Sequence, residues 1–310
     1  MTSYFAKLTT EKVNPATQFI DECETRDMLM LINDEDQLVP LAVRKEIESI
    51  AAAVDRIYDS LKDGGRMFYV GAGSSGRLGV LDASECPPTY GTAPELVQAY
   101  IAGGDGALRT AVEGCEDDAD AGARLMDEKG VTSKDVVVGI TASGSTPYVL
   151  GAVRRAKELG AGTVGVTTNP NTRIGEACDI CIAPVVGPEV VAGSTRMKSG
   201  TAQKLVLNML TTGVMIKLGK VYNNLMVDLR ASNTKLYDRS IRMVRTSTGA
   251  SEERAVEALE QANMHVKTAI LMIETGANAA EAADLLLRHE GRLKAAIRAA
   301  KGALPPAKAE

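Results

Sequence analysis

Tryptophan is absent from the 310 residues and aromatic side chains make up only 4% of them, so the stacking platforms on which single-stranded nucleic acids rest have few candidates. No run approaches the ~20 consecutive apolar residues of a membrane-spanning helix. The start, Met1-Thr2-Ser3-Tyr4-Phe5-Ala6-Lys7, lacks the basic and apolar segments of a secretory leader, which predicts a cytoplasmic protein. Histidine occurs twice, at His265 and His289, both in the carboxy-terminal part. A Ser-His-Asp triad or a histidine metal site would have to recruit that part, and a surface or core-edge role fits both better. The five cysteines are odd in number and scattered, as expected of reduced thiols. Cys178-Asp179-Ile180-Cys181 is a CxxC, but it sits in a strand-like run with no second CxxC or nearby histidine, and reads as structure rather than as a redox or zinc site. A net charge of −5 provides no general field for nucleic acid or anionic lipid, so any anionic ligand needs a local site.

What is present is a globular composition, 45% hydrophobic and 24% charged, at about twice a usual domain length. Helical spacing over residues 17–32 and 41–61, separated by the acidic turn Asn33-Asp34-Glu35-Asp36, predicts an amino-terminal helical segment with an apolar face at Val43, Ile47, Ile50, Val54, Ile57 and Leu61. From Arg66 the rhythm changes to short apolar runs at 67–70, 97–102, 136–140, 163–167 and 180–185, punctuated by Gly-rich turns and by helices such as 148–159. That alternation predicts an α/β fold, a doubly wound parallel sheet flanked by helices. Residues 225–244 read as helix or connector, and 251–300 as a small helical domain spaced by Ala255, Leu259, Ala262, Val266, Ala282, Leu285, Leu286 and Leu293. The expected division is 1–62, 63–230 and 231–310.

Two loops repeat one recipe. Gly71-Ala72-Gly73-Ser74-Ser75-Gly76 follows the first strand and contains GxGxxG, yet Pro87-Pro88 arrives too soon for the long helix of a dinucleotide site. Ser74 and Ser75 instead place hydroxyls beside the N–H groups of a helix start, a setting for a compact dianion. Thr141-Ala142-Ser143-Gly144-Ser145-Thr146-Pro147 does the same after another strand, with Pro147 suited to a first helical position. Together, Ser74, Ser75, Ser143, Ser145 and Thr146 form a candidate phosphate cradle. A third stretch, from Gly187 to Lys204, carries Arg196, Lys198 and Lys204 ahead of a helix expected at 205–216. Cations there oppose the helix dipole and call for an anion nearby.

Among the carboxylates, Glu85 stands before the rigid Pro87-Pro88 turn, and Glu113 and Glu116 share one face of a helix expected over 107–126. With histidine scarce, acid–base chemistry by carboxylates without metal fits the sequence better than the alternatives.

The chain resembles the N-acetylmuramic acid 6-phosphate etherase family of the sugar isomerase (SIS) superfamily, which also holds the glucokinase regulatory protein. The resemblance rests on Thr10-Glu11-Lys12-Val13-Asn14-Pro15, the block Gly71 to Gly91, Val112-Glu113-Gly114-Cys115-Glu116-Asp117, Ala142 to Tyr148, Gly187 to Lys204, and Asn224-Leu225-Met226-Val227-Asp228, and so covers most of residues 10–230. The tail is similar by position and pattern to a ubiquitin-associated-like helical domain. The resemblance implies cleavage of the D-lactyl ether of N-acetylmuramate 6-phosphate to N-acetylglucosamine 6-phosphate and D-lactate in cell-wall sugar recycling, with no cofactor and in a homodimer. It implies Glu85 and Glu116 as the catalytic pair, read here as acid and base respectively. Arg196 and Lys198 are expected near the phosphate or the lactyl carboxylate. A phosphosugar aldose–ketose isomerase and a non-catalytic sugar-phosphate sensor are the rival readings, and lactate formation discriminates between them and the etherase. A transcription regulator would carry a basic helix-turn-helix, which is not evident.

Overall fold

A computed structural model describes residues 5–228 and 234–302. Readings that touch residues 1–4, 229–233 and 303–310, including the start of the chain, part of the connector and the end of the tail, lie outside the described residues. The chain divides into two compact units, Met1–Ser84 with Pro94–Gly213 and Glu85–Ala93 with Val214–Glu310.

In the first unit the short apolar runs become β1 (Met67–Gly71), β2 (Val97–Ile101), β3 (Val136–Ile140), β4 (Gly162–Val166) and β5 (Ile180–Ile182). All pair in parallel in the order β2-β1-β3-β4-β5, with Tyr69 opposite Ala99 on one side and Val138 on the other. β1, β3 and β4 are buried at every position, as strands covered on both faces must be. The chain leaves β1 for β2 on one side and returns for β3 on the other. The crevice at the carboxyl ends of β1 and β3 is therefore the topological switch point, where doubly wound sheets bind ligands.

The helices of this unit are α1 (Thr25–Asp36), α2 (Leu38–Arg44), α3 (Ile47–Lys62), α4 (Gly73–Tyr90), α5 (Ala119–Glu128), α6 (Pro147–Glu158), α7 (Arg173–Ala177) and α8 (Lys198–Lys217), the division between units falling inside α4 and α8. Strand alternation sorts the core. Phe68, Val70 and Val137 pack with Met126 of α5 and Val149 and Val153 of α6. Tyr69 points the other way, and its hydroxyl donates to Asp82 of α4 at 2.9 Å. Asp82 also accepts from Asn208 Nδ2 (2.6 Å) and Thr211 Oγ1 (3.2 Å) of α8. Burial pushes its carboxyl above the ordinary value, and these three hydrogen bonds oppose the rise. α5 and α6 touch through backbone: a Cβ at Gly122 would lie 1.9 Å from the Tyr148 carbonyl oxygen, and one at Gly151 1.9 Å from that of Ala119. Glycine in a helix costs about 1 kcal/mol relative to alanine, and here the close approach of the two helices requires it.

Several local expectations are corrected. Residues 17–32 are not one helix: single turns at Pro15–Thr17 and Ile20–Glu22 precede α1. Asn14 caps the first by accepting from Ala16 N–H, and Thr17 Oγ1 donates to the Val190 carbonyl at 2.8 Å, side-chain bonds that compete with a continuous helix. Asn33 to Asp36 form the last turn of α1 rather than a loop. The 41–61 stretch breaks after α2, where the Glu46 carboxylate accepts the Ala183 N–H at 3.1 Å. Pro87-Pro88 lies within α4, which runs to Tyr90, and is not a turn. No helix covers 107–126. A single turn at Asp105–Leu108 and another at Cys115–Asp117 leave Glu113 and Glu116 on a loop, and Asp118 starts α5 by accepting from Ala121 N–H at 2.8 Å. α8 begins at Lys198 rather than 205, because the fully buried Glu189 carboxylate takes the N–H groups of Lys198 and Ser199, both at 2.9 Å. That is the anion the basic stretch called for.

In the second unit, α9 (Thr234–Thr248), α10 (Glu252–Gln261), α11 (Val266–Thr275), α12 (Ala279–Arg288) and α13 (Leu293–Ala300) bury Ala255, Leu259, Val266, Ile270, Leu286 and Leu293 in one core. Ser251 caps α10, and Asn278 with Glu281 closes a capping box on α12. Asp228 binds Lys220 at 2.7 Å, Lys267 at 3.0 Å and His265 Nε2 at 3.3 Å. Burial raises its pKa, but His265 and the two lysines outweigh this and hold it well below the usual carboxylate range. His265 thus has a structural partner, consistent with the core-edge role expected of it.

Candidate active site

α4 starts directly after β1, and that junction admits no side chain at two positions: a Cβ on Gly71 would lie 2.6 Å from Gly76 N, and one on Gly76 2.6 Å from Ile101 Cγ1. The glycines hold the first turn of α4 tightly over the end of the sheet. The first intrahelical bond is Gly76 N–H to Ala72 O, so the N–H groups of Gly73, Ser74 and Ser75 precede the helical ladder. The loop after β3 faces them. Both loops line one cavity of about 270 Å³, walled by Gly73, Ser74 and Ser75 of the first loop and Thr141, Ser143 and Thr146 of the second, with Glu11, Glu116 and Thr195. The switch point therefore holds hydroxyls, helix-start N–H groups and two carboxylates together.

The hydroxyls form chains. Thr141 Oγ1 lies 2.7 Å from Thr146 Oγ1 and 3.3 Å from Ser143 Oγ. Ser143 Oγ accepts both the N–H (3.2 Å) and the hydroxyl (3.1 Å) of Ser145. Ser145 is buried and is not a wall of the cavity; it supports Ser143 from behind. Thr146 makes no capping bond to α6, whose first residue is Pro147, so its hydroxyl stays on the cavity side of the network.

Glu116 is exposed at the mouth, on the loop leading to α5. Arg77 of α4 pins the other end of that loop by donating to the carbonyls of Ala107 (2.7 Å) and Leu108 (3.0 Å). Glu113 and Cys115 line an adjoining recess of about 170 Å³ with Arg77, and Glu116 borders both spaces. Burial, and then the charge of Glu116, raise the Cys115 thiol pKa. Glu85 is exposed on α4 and is not a wall of this cavity.

The two cations of the third stretch go to different places. Arg196 lies on a neighbouring cleft of about 420 Å³ with Lys204, Thr201 and Ser74, the last shared with the serine cavity. Lys198 is buried, with its ammonium on the Glu35 carboxylate of α1, and does not reach the cavity wall. For the CxxC, burial drives the Cys178 thiol up to about 12, the reverse of what a reactive or metal-binding thiolate needs.

Sequence reading assigned no role to Glu11, Asn169 or Gln203. Asn169, fully buried, accepts from Thr9 N–H and Thr9 Oγ1, both at 2.6 Å, and donates to Thr10 Oγ1 and to the Ala142 carbonyl. It thereby hooks the amino-terminal turn onto the second serine loop and sets Glu11 at the cavity. The signal was Thr10-Glu11 inside a stretch with no periodicity. Gln203 holds Ser75 from inside α8. Its signal was a polar residue among Ser199, Val206, Leu207 and Leu210, all buried on one helical face.

Comparison with known proteins gives this geometry a family. The family model for the glucokinase regulatory protein N-terminal SIS domain matches residues 49–157, that for the SIS domain 118–213, and that for the C-terminal lid domain of glucokinase regulatory protein 223–271. An N-acetylmuramic acid 6-phosphate etherase of Clostridium acetobutylicum is 56% identical over 96% of this chain and 99% of its own length. Others with that name, from Caldanaerobacter subterraneus subsp. tengcongensis and Yersinia pestis, are 56% and 54% identical over 94% of this chain and 95% and 98% of theirs. Identity above one half, sustained across nearly the whole of both partners, makes this chain a member of the N-acetylmuramic acid 6-phosphate etherase family of SIS-domain proteins.

Proposed function

We propose that this chain cleaves the D-lactyl ether of N-acetylmuramate 6-phosphate, releasing D-lactate and N-acetylglucosamine 6-phosphate. The observation that carries the reading is the convergence of Ser74, Ser75, Ser143 and Thr146 on one cavity that Glu116 also borders. Hydroxyls and helix-start N–H groups suit the phosphate dianion. Its binding energy then fixes the reacting end of the sugar against Glu116. Ser145 orders this cradle by holding Ser143. Arg196, across Ser74 from the cradle, meets the lactyl carboxylate. Lys198 acts through the fold, since Glu35 occupies its ammonium.

An ether oxygen leaves poorly, but in the ring-opened sugar the C3–O bond lies β to the C1 aldehyde. Glu116 removes the C2 proton, the electron pair forms the C2–C3 double bond, and the C3–O bond breaks with its electrons going to the lactyl oxygen. On the family resemblance, rather than on the cavity lining, Glu85 is the acid that protonates that oxygen. Water then adds at C3, returning a proton at C2, and supplies the new hydroxyl. Proton transfers complete each step, so the scheme runs on carboxylates without metal.

No described helix is long and apolar enough to cross a membrane, and a phosphorylated substrate places the reaction in the cytoplasm. The working form is a homodimer. α1 buries none of its residues, and Phe19, Leu29, Met30, Leu38, Leu41 and Ile47 are exposed around it, an apolar surface suited to a second copy.

The test is D-lactate release from N-acetylmuramate 6-phosphate in ¹⁸O-water with a chelator present. Lactate should appear, with the label in the sugar 3-hydroxyl and none in the lactate ether oxygen. A folded protein that releases no lactate ends the etherase reading, label in the lactate hydroxyl ends the elimination route, and activity lost only with the chelator ends the metal-free scheme.

A further inference from the structure

Ser75 is a wall of the cavity, and its hydroxyl lies 2.9 Å from Gln203 Oε1. Gln203 is 1% exposed, and its Nε2 is a buried donor with no hydrogen-bond partner among the described residues. In that arrangement Ser75 spends its only hydrogen on Gln203 and turns only lone pairs toward the cavity. A phosphate dianion brings only lone pairs of its own, so the two would repel. A half-turn of the carboxamide exchanges its oxygen and nitrogen at the same positions. Nε2 then donates to Ser75 Oγ, the buried donor is satisfied, and the Ser75 hydrogen is released toward the cavity. The oxygen that takes the other position is an under-satisfied acceptor, which costs less than an orphaned N–H.

Ser143 shows the same logic already in place. It accepts twice from Ser145, at 3.1 and 3.2 Å, which leaves its own hydrogen to go to Thr141 Oγ1 or to an anion. Each serine loop thus has a second residue behind it that sets the direction of a hydroxyl.

We propose that Gln203 is a positioning residue that turns the Ser75 hydroxyl into a hydrogen-bond donor to the substrate phosphate. This rests on the phosphate cradle of the etherase reading and deepens it. The dianion selects the flipped amide, because only then does Ser75 offer it a hydrogen. Gln203 touches no substrate; its effect passes through Ser75 and bears on phosphate affinity rather than on the proton transfers at C2 and C3.

A double-mutant cycle tests the assignment. Gln203→Met, Ser75→Ala and the double variant are compared by equilibrium dialysis of inorganic phosphate and by KM and kcat for lactate release. Ser75→Ala loses one charge-assisted hydrogen bond and should weaken phosphate binding and raise KM about tenfold or more, and Gln203→Met, which leaves the Ser75 hydroxyl without its orienting donor, should cost about threefold or more, with kcat changed less than about threefold in both. The double variant should bind phosphate no worse than Ser75→Ala alone, within twofold. Losses that multiply in the double variant, or an unchanged phosphate Kd in Gln203→Met, overturn the proposal. Should the methionine variant fail to fold, Gln203→Leu serves: it likewise removes the carboxamide without adding charge, and must weaken phosphate binding in wild type but not in the Ser75→Ala background. Phosphate dialysis needs no turnover, so a wild type without lactate release fails the etherase reading while the cycle at Gln203 is still read.

Discussion

Replacing Lys198 with methionine distinguishes a residue that grips substrate from one that holds the fold. The Lys198 side chain is 1% exposed and that of Glu35, its partner on α1, 15%. Removing one member of a buried pair costs about 3–5 kcal/mol, because the other charge is left unpaired. Glu35 keeps some access to water, which puts the cost near the lower end, about 3 kcal/mol. In a domain of this size that lowers Tm by roughly 6–12 °C. Putting methionine at both positions removes the stranded charge as well, and such apolar replacements of buried pairs are neutral or stabilising. Lys198→Met/Glu35→Met is therefore expected to recover to within about 1 kcal/mol of wild type. Thermal unfolding followed by circular dichroism measures the stability, and D-lactate release from the same samples reports on the site. A Lys198→Met protein with wild-type Tm and little activity refutes the reasoning, as does a double variant that melts as low as the single one. The first outcome returns Lys198 to the substrate, and the second shows that the stranded Glu35 charge is not what destabilises the single variant.

Glu116→Gln is expected to lower kcat about 10²–10⁴-fold, as loss of a general base does, while its exposed position keeps stability within about 0.5 kcal/mol; steady-state kinetics beside a melting curve checks both. Asp228→Asn strands the buried Lys267 and should cost about 3–5 kcal/mol by urea unfolding at neutral pH. Because the folded carboxyl titrates below its ordinary value of 3.8, its contribution is complete above that pH and lost as pH falls through the folded value, so wild type and variant should converge in acid. Leu41→Lys combined with Met30→Lys should convert a dimer to monomer in sedimentation velocity, and a dimer that survives both charges removes this surface from the interface.

The strands were legible because each is a short apolar run closed by glycine or a polar turn, and β-branched or aromatic residues take most positions of each. Both serine loops followed from their place at strand ends. The loop bearing Glu116 was misread because its alanines and acids imitate an exposed helix, and composition there does not reveal that Asp118, rather than any earlier residue, caps α5. The fate of Lys198 was not legible either. Its partner lies 163 residues away, and only tertiary structure reveals that Glu35 takes the ammonium while Glu189 takes the backbone N–H. Asn169 is a similar case, hooking Thr9 across 160 residues. Local pattern reports which residues carry hydroxyls or charge, and long-range closure decides which of them still face a ligand.

The glycines that let α5 and α6 touch sit one turn into each helix, and each helix follows directly on a piece of the site: Glu116 before one, Ser143 to Thr146 before the other. The two backbones in contact therefore act as a gauge that sets the gap between Glu116 and the second serine loop. A single methyl group at 122 or 151 would be a shim driven into that gauge. Catalysis should suffer from it well before the sheet notices, although neither position borders the cavity.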